Sequence, residues 1–564
     1  MTEALPWWKR TTVYQIYPRS FADSNGDGIG DIPGIIDRLD YLQWLGVETL
    51  WISPFYRSPQ LDFGYDISGH FEIAPEYGSL EDVRRLIREV HERKMKIVLD
   101  MVLNHTSAEH PWFLDSKSSR TSAHRDYYLW RDGRKPGGRA PPNNWRSMLG
   151  GSGWHYDANT GQWYWATFLP FQPDLNWRNP AVKASLLDVV RHWLGEGADG
   201  LRLDLFNALY KDQAFTNNPF SMRPVPSESN PDGFFQRALH TQNHPDTLAF
   251  AQELRSVVDE FHSPPRFLVG EVFGKTELLR RYCGKGGEGL NLVFLFKSLT
   301  THFSARGFRE LIAEMEAAFP EPLMPTYVFS NHDRPRALLR LGGDAKKARL
   351  LAAFQLTVRG VPFIYYGDEL GLPHPPSVPL GDALDPIAAR YRHVPGFIVP
   401  FLRRHGILLN RDEARSPMPW SGAEHGGFSA PASTASWLPL HPHAKTVNVA
   451  AQKDDCNSVL ATYRRLLWLR RQSPALSSGT LRILDTPREA RHVLAFQREG
   501  GGELARVFLN FSSREQPLAS WLPADPRTRE AVCLHSSLGD TEPALRSGRA
   551  LRPWEAIILL SRPQ

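Results

Sequence analysis

Eight short apolar runs, rich in β-branched and aromatic residues, recur between residues 12 and 367 of the 564-residue chain and constrain its fold more than any other feature. Stretches with helical periodicity, such as residues 81–94 and 183–197, lie between several of them. Strands that alternate with helices are typical of a parallel sheet, and eight such units predict a (β/α)8 TIM barrel. The predicted strands are residues 12–17, 48–53, 96–102, 199–204, 266–272, 291–296, 326–331 and 362–367.

Two intervals are too long to be simple connections between a strand and a helix. Residues 104–175 are rich in Gly, Pro, Trp and Tyr and follow the third strand, whereas residues 373–450 are rich in Pro and His and follow the eighth. After residue 480, short strand-like runs separated by turns predict a small antiparallel β-sandwich. We therefore expect a barrel formed by residues 1–103 and 176–478, an inserted subdomain at 104–175 and a C-terminal β domain at 479–564.

Composition and charge argue against several classes of protein. The 66 basic and 61 acidic residues give a net charge of +5, but Lys and Arg are scattered, which disfavours nucleic acid as a partner. The three cysteines lie far apart and form neither a disulfide framework nor a zinc motif. No apolar signal segment or membrane-spanning run is found. We expect a cytoplasmic monomer or homodimer that has no membrane partner.

The segment DSNGDGIGD, residues 23–31, has the spacing of oxygen ligands at the start of a calcium-binding loop. The EF-hand interpretation fails, because the position that should hold a bidentate Glu is Gly34. The remaining oxygen donors still suit Ca²⁺ or Mg²⁺, but an Asp- and Asn-rich turn that binds nothing has the same spacing. The spacing alone leaves both interpretations open. The candidate ligands are Asp23, Asn25, Asp27, the Ile29 carbonyl and Asp31.

Polar side chains follow the carboxyl ends of several predicted strands, where the active site of a barrel lies. Any one of them has an ordinary explanation as a helix cap or a solvated loop residue. Their occurrence at the same predicted rim instead indicates one site built from carboxylates, two histidines and an arginine. The residues are Asp100, Asn104 and His105 at the end of the third strand, Arg202 and Asp204 at the end of the fourth, Glu271 at the end of the fifth, and His332 and Asp333 after the seventh.

These residues lie in four motifs that resemble the signature regions of the α-amylase family of glycoside hydrolases: DMVLNH (100–105), GLRLD (200–204), GEVF (270–273) and FSNHD (329–333). Three further segments resemble the oligo-1,6-glucosidase and α-glucosidase branch: QPDLN (172–176), YYGDELG (365–371) and RDEARSPMPW (411–420). The resemblance runs from about residue 7 to the C-terminus. It implies a retaining α-glucosidase that needs no organic cofactor.

The resemblance implies a role for each carboxyl group. Asp204 would be the nucleophile and Glu271 the general acid/base, which a retaining mechanism places about 5–5.5 Å apart. Asp333 would hydrogen-bond sugar hydroxyls and stabilise the cationic transition state. Arg202 would hold Asp204 in its charged form, because the two side chains lie on the same face of one strand. Asp100 would support Arg202 from behind.

The resemblance also implies a closed glucose pocket. His105 and His332 would bind sugar hydroxyls, and Tyr65 would form a stacking floor under the sugar. Asp62, within the segment LDFGYD (61–66), would pair with Arg411 and grip the hydroxyls of a terminal glucose. Such a pocket predicts exo action, with glucose released from the non-reducing end. The branch also carries a cation loop after its first strand, which favours a structural Ca²⁺ or Mg²⁺ at residues 23–31.

Several alternatives remain open within this family. The covalent intermediate could pass to a sugar acceptor instead of water, so α-glucosyl transfer competes with hydrolysis. Trehalose-6-phosphate hydrolase and sucrose isomerase share the machinery, and the first would need a basic cluster such as Arg334, Arg336 and Arg340. Leu205, expected to line the wall near the leaving sugar, leaves the preferred linkage open. Non-catalytic transporter subunits are disfavoured, because the catalytic carboxylates are present and no transmembrane run is found.

Overall fold

The computed structural model describes residues 5–404, 407–431, 433–518, 532–538 and 550–561. Eight strands form a single sheet in the order β6-β5-β4-β3-β2-β1-β8-β7, which is the (β/α)8 barrel that the sequence predicts. Each predicted segment overlaps one observed strand, and the sixth is the shortest; the eighth begins at Val361, one residue before the predicted start. The strands are β1 (Val13–Ile16), β2 (Thr49–Ile52), β3 (Lys96–Val102), β4 (Gly200–Asp204), β5 (Phe267–Gly270), β6 (Leu292–Val293), β7 (Thr326–Val328) and β8 (Val361–Tyr365).

The central barrel strands are buried along almost their whole length because both of their faces are covered. In β3 every residue after Lys96 is buried, and all five residues of β4 are buried. The parallel register pairs Asp100 with Arg202 across β3 and β4, and pairs Leu203 with Gly270 across β4 and β5. The polar residues at the ends of these three strands therefore lie side by side.

Six helices of 13 residues or more are described: Leu80–Glu92, Pro180–Gly195, Pro245–Val258, Ala305–Ala318, Ala345–Thr357 and Val459–Gln472. At the N-caps of five of them, the side chains of Asn179, His244, Ser304, Asp344 and Ser458 accept backbone N–H bonds. The shorter helices are Pro18–Phe21, Ile32–Ile36, Leu39–Leu45, Pro111–Ser116, Thr276–Cys283, Lys297–Thr300, Ala337–Arg340, Pro386–Arg390, Val399–Arg404, Val449–Lys453 and Pro474–Ser478. Within the described residues, every helix is too short or too polar to cross a membrane.

The chain divides into two compact units. One comprises Trp51–Arg88 and Lys96–Leu295, and the other comprises Met1–Leu50, Glu89–Met95 and Phe296–Gln564. The first unit contains the segment between β3 and β4, which carries a three-stranded antiparallel sheet around a cluster of buried indole rings. Its strands are Trp130–Arg131, Trp154–Asp157 and Gln162–Trp165.

The second unit ends in a five-stranded antiparallel sheet of order β9-β10-β11-β13-β12. A separate two-stranded sheet pairs Gln516–Pro517 with Ala550–Leu551. Residues 519–531, 539–549 and 562–564 of the predicted C-terminal domain lie outside the described residues. The five strands are β9 (Thr480–Ile483), β10 (Val493–Gly500), β11 (Glu503–Asn510), β12 (Val532–Ser536) and β13 (Ala556–Ser561).

Two buried arginines, Arg498 of this sheet and Arg470 of the helix Val459–Gln472, contact the end of the barrel helix Ala345–Thr357. Arg498 of β10 donates to the carbonyl oxygens of Thr357 (2.7 Å) and Gly479 (2.8 Å). Arg470 donates to the carbonyl of Gly360 at 2.6 Å, just beyond the end of the same helix. The last carbonyls of a helix have no intrahelical partner, so these guanidinium groups satisfy acceptors that burial would otherwise leave unpaired.

Candidate active site

In the first unit, the buried Arg202 contacts three carboxylates, and we call these four residues the Arg202 cluster. Nη1 of Arg202 lies 2.8 Å from Oδ1 of Asp100 and 2.8 Å from Oδ1 of Asp204, and Nη2 lies 2.6 Å from Oε2 of Glu271. Arg202 and Asp204 are two residues apart on β4, so their side chains emerge on the same face. The Arg202 side chain is only 2% exposed. One guanidinium thus holds residues from the ends of three adjacent strands in a fixed arrangement.

The electrostatics of this cluster follow from burial and charge pairing. Burial alone would lower the pKa of Arg202, but the carboxylates of Asp100 and Glu271 raise it well above its ordinary value. Burial raises the pKa of Asp100, and the Arg202 guanidinium opposes that rise. A permanent positive charge therefore faces the three carboxyl groups at any physiological pH.

Asp100 also fixes the aromatic residues beside the cluster. Its Oδ2 accepts hydrogen bonds from Nε1 of Trp51 at 3.1 Å and from the Tyr65 hydroxyl at 3.0 Å. The carboxylate is completely buried and receives three donors in all, counting Arg202. Tyr65 is 5% exposed, so its ring position is determined by this network.

β4 ends at Asp204, immediately before Leu205. Leu205 adopts a left-handed backbone conformation, with φ 41° and ψ 37°, and its N–H points towards Oε2 of Glu271 at 3.5 Å. Left-handed conformations are uncommon for residues other than glycine and more strained for β-branched ones. Leu205 is 7% exposed. Its predicted role in choosing the linkage stays a prediction, but the backbone already disfavours Val or Thr at this position.

His105 and Asp62 lie in the same unit and have protein partners. Nε2 of His105 lies 3.1 Å from the Tyr65 carbonyl oxygen, and Nδ1 lies 3.2 Å from Nδ2 of Asn104. Asp62 accepts a hydrogen bond from Nε2 of Gln172 at 2.9 Å. Gln172 is the first residue of the QPDLN motif and was not identified as a site residue from the sequence.

In the second unit, Asp333 is the centre of another charge cluster. Its Oδ1 receives Nη2 of Arg415 at 2.9 Å and Nη1 of Arg411 at 3.3 Å, and its Oδ2 lies 3.1 Å from Nε2 of His332. Nε2 of Gln15, on β1, contacts the other ring nitrogen of His332 at 2.8 Å. The Asp333 side chain is 29% exposed, so it remains accessible to a ligand. Arg415 and Gln15 were not identified from the sequence.

Arg411 makes its strongest contact with Asp385. Nη2 and Nε of Arg411 lie 2.7 Å and 3.0 Å from Oδ1 of Asp385, and the Arg411 backbone N–H donates to Oδ2. Burial opposes ionisation of Asp385, but Arg411 holds its pKa below the ordinary value. No motif marks Asp385, which lies in the long interval after β8. The predicted pair between Asp62 and Arg411 stays a prediction.

Two of the three arginines considered for a phosphate site face the protein interior. Nη1 of Arg336 donates to the Tyr366 carbonyl at 2.7 Å, and the side chain is packed against the rings of Tyr365 and Tyr366. Nη2 of Arg340 donates to the Phe329 carbonyl at 2.9 Å. Both guanidinium groups donate to backbone carbonyl oxygens. These contacts disfavour Arg336 and Arg340 as the phosphate-binding residues that a phosphorylated substrate would require.

The loop at residues 23–31 is organised by its own turns. Asp23 accepts backbone N–H bonds from Asn25, Gly26 and Gly28, and Asp27 accepts one from Ile29. Asp31 caps the helix Ile32–Ile36 through the Gly34 N–H and also accepts two hydrogen bonds from Ser24. Among the described residues, no group of three or more His, Cys, Asp or Glu side chains is arranged to hold a metal ion. The turn interpretation accounts for these contacts without a cation.

Comparison with known proteins identifies the relatives of the chain. The family model for the catalytic domain of alpha amylase matches residues 15–479. An oligo-1,6-glucosidase from Parageobacillus thermoglucosidasius is 35% identical over 98% of both chains, and a probable alpha-glucosidase from Rhizobium meliloti (strain 1021) is 38% identical over 92% of this chain and 91% of the relative. The crystal structure of an alpha-glucosyl transfer enzyme, XgtA, has a TM-score of 0.86 and 36% identity and covers 99% of this chain and 100% of its own.

We predict that Arg202 makes a large and pH-dependent contribution to the free energy of unfolding. Arg202→Gln leaves buried carboxylates without their counter-charge, which costs about 3–5 kcal/mol at pH 7.5. Burial raises the pKa of Asp100 from an ordinary 3.8 to about 6 while Arg202 opposes the rise, so this pKa should rise further in the variant. At pH 5 Asp100 is then protonated in the folded variant, its unpaired charge is gone and the loss should shrink. Urea unfolding of both proteins at pH 7.5 and pH 5 measures this difference.

The matched control is Arg84→Gln, which breaks an ion pair with Glu196 in which the arginine side chain is 45% exposed. Exposed pairs contribute at most about 1 kcal/mol. Equal losses of stability in the two variants would contradict the role assigned to Arg202.

Proposed function

Because the chain belongs to the α-amylase family of glycoside hydrolases, we propose that it is a retaining α-glucosidase that releases glucose from the non-reducing ends of short α-glucosides. The observation that carries this proposal is the buried Arg202 guanidinium, which holds Asp204 and Glu271 at 2.8 Å and 2.6 Å. Retention requires two carboxyl groups close together, one acting as nucleophile and the other as acid/base.

In the first step, the Asp204 carboxylate attacks the anomeric carbon while Glu271 donates its proton to the oxygen of the leaving sugar. The glycosidic bond breaks and a glucosyl ester of Asp204 forms. Arg202 contacts Oε2 of Glu271, so the transferable proton belongs on Oε1. In the second step Glu271 takes a proton from water, the hydroxide attacks the anomeric carbon, and the ester bond breaks. Two inversions give net retention.

The remaining residues bind the glucosyl group in this proposal. Asp333, held by Arg411, Arg415 and His332, accepts hydrogen bonds from sugar hydroxyls and stabilises the positive charge of the transition state. Tyr65 presents its ring to the sugar while its hydroxyl is anchored on Asp100. His105 donates to a hydroxyl, and Asp62 and Arg411 recognise a terminal glucose, which makes the enzyme exo-acting.

Transfer of the glucosyl group to a sugar acceptor is the second candidate, because the XgtA structure is described as that of an alpha-glucosyl transfer enzyme. The same ester intermediate serves both reactions, and the acceptor decides the product. Chromatography of the products from maltose separates the two outcomes, since hydrolysis yields only glucose and transfer also yields trisaccharides.

A structural cation at residues 23–31 and a cytoplasmic location are further parts of the proposal. The donors of Asp23, Asn25, Asp27, Ile29 and Asp31 are all oxygens, which suits Ca²⁺ or Mg²⁺, although a cation would share carboxylate oxygens that already accept N–H bonds. Cys283 and Cys456 are free thiols, which fits a reducing compartment.

Substitutions at the two catalytic carboxyl groups test the mechanism. Asp204→Asn should abolish turnover of p-nitrophenyl α-glucoside, because an amide cannot form the glucosyl ester. Glu271→Gln should also lose most activity, but azide should restore part of it, because a small anion needs no general base. The product should be α-glucosyl azide, because azide displaces the Asp204 ester with a second inversion. Thermal melting confirms that each variant is folded. Activity near that of the wild type in either folded variant would overturn the assignment.

Removal of the cation tests the loop. A ligand that binds only the native state stabilises it by mass action, so a strong chelator should lower the melting temperature by several degrees, and added Ca²⁺ or Mg²⁺ should restore it. Asp27→Asn keeps an oxygen for the turn to Ile29 but removes the charge, so this variant should no longer respond to the chelator. An unchanged melting temperature in the chelated wild type would show that the turns alone hold the loop.

A further inference from the structure

Lys211 is a buried cation seven residues after Asp204, and the proposed chemistry does not use it. Its side chain is 2% exposed. Its Nζ forms an ion pair with Asp174 and lies 3.0 Å from Oδ1 of Asn104 and 3.4 Å from the Leu209 carbonyl oxygen. An ammonium group has three N–H donors and no acceptor, so these three oxygens use its full capacity.

This arrangement determines the orientation of the Asn104 side chain. A group that only donates must face an acceptor, so the oxygen of the amide, and not its nitrogen, points to Lys211. The Asn104 NH2 group then points to Nδ1 of His105, at 3.2 Å. The backbone reinforces this geometry, because the carbonyl of Asn104 accepts the N–H of Leu175, next to Asp174.

The orientation of Asn104 in turn fixes the protonation of His105. An amide NH2 only donates, so Nδ1 of His105 must carry a lone pair and no proton. At the other side of the ring, Nε2 lies 3.1 Å from the carbonyl oxygen of Tyr65, which only accepts, so Nε2 must carry the proton. The two contacts are independent, and both require the neutral Nε2–H form.

The charges around His105 agree with a neutral ring. Burial lowers the pKa of His105, and the charge of Lys211 lowers it further, while Asp174 and Asp62 oppose these effects. The ring is completely buried beside these groups, with 1% of its surface exposed. The imidazole therefore remains uncharged across the neutral pH range.

We propose that Lys211 is a positioning residue that fixes His105 as the neutral Nε2–H tautomer through Asn104. The inference rests on the proposed function only in giving His105 a sugar hydroxyl to bind. The Nε2–H group donates to the Tyr65 carbonyl oxygen at 3.1 Å and would share this hydrogen with a sugar hydroxyl as a bifurcated bond of fixed direction. The Tyr65 hydroxyl in turn contacts Asp100 in the Arg202 cluster. Lys211 touches neither the substrate nor the catalytic carboxyl groups and acts only through Asn104.

Long-range ¹H–¹⁵N correlation spectra of enzyme labelled on the histidine rings measure the tautomer directly, with His105→Gln assigning the signal. The wild type should show the neutral Nε2–H pattern between pH 6 and 8. This result does not depend on any activity, so it separates a failure of this inference from a failure of the proposed function. An Nδ1–H pattern, or a protonated ring at pH 7, would overturn the inference.

Asn104→Asp tests the functional consequence. The carboxylate still accepts from Lys211 but now presents an acceptor to Nδ1, so the ring should take up a proton there. We expect kcat/KM for p-nitrophenyl α-glucoside to fall about 10–100-fold, as for loss of one oriented hydrogen bond, and its pH profile to gain an ionisation. An unchanged ring signal would overturn the proposed effect of Asn104 on the protonation of His105. A changed signal with wild-type kcat/KM would overturn the positioning role.

A second variant removes the lysine while keeping the charge balanced. Lys211→Met alone would leave Asp174 as an unpaired buried charge, so it is combined with Asp174→Asn. Nothing then selects one end of the Asn104 amide, so its oxygen can face Nδ1 while the Tyr65 carbonyl still accepts from Nε2–H. The His105 ring should therefore become protonated at a higher pH than in the wild type, and kcat/KM should fall. A His105 ring that stays neutral over the same pH range as in the wild type would show that Lys211 does not keep Nδ1 unprotonated.

Discussion

The contact of the Arg202 guanidinium with three carboxylates is the interaction on which the rest of the site depends. Asp100, Asp204 and Glu271 come from the ends of three adjacent parallel strands, and their charges would repel one another in the barrel interior. A planar guanidinium has five donors in a fixed fork, so it both neutralises these groups and sets their directions. Lysine would supply the charge without the geometry. The register of the strands brings the three carboxylates together, and the arginine offsets the repulsion between their charges.

In the second unit, arginines pair with carboxylates in a similar way. Asp333 lies beside Arg411 and Arg415, and Arg411 also pairs with the buried Asp385. In each cluster one carboxylate is fully buried and supports the arginine, namely Asp100 and Asp385, while the carboxylate assigned to chemistry keeps some exposure. Support groups and reacting groups are thus separated by burial. The buried carboxylates Asp100 and Asp385 thus hold the arginines that contact the more exposed carboxylates.

The sequence predicted the barrel strands well, because buried parallel strands are continuous apolar runs that stand out from polar loops. It also selected Asp204, Glu271 and Asp333 as candidate site residues, since motifs at strand ends are local patterns. It missed Asp385, Arg415 and Gln15, whose roles depend on contacts between residues far apart in the chain. The left-handed backbone of Leu205 was equally hidden, because the neighbouring structure imposes that strain and leucine itself does not favour it.

The stereochemistry of the first sugar released tests the central claim most directly. ¹H NMR during the first minutes of hydrolysis of an α-glucoside distinguishes the two anomers of glucose before they interconvert. The account predicts α-glucose as the initial product, because the Asp204 ester is formed and broken with inversion each time. Initial release of β-glucose would mean a single displacement by water. It would contradict the assignment of Asp204 as the nucleophile and of Arg202 as the group that holds it in place.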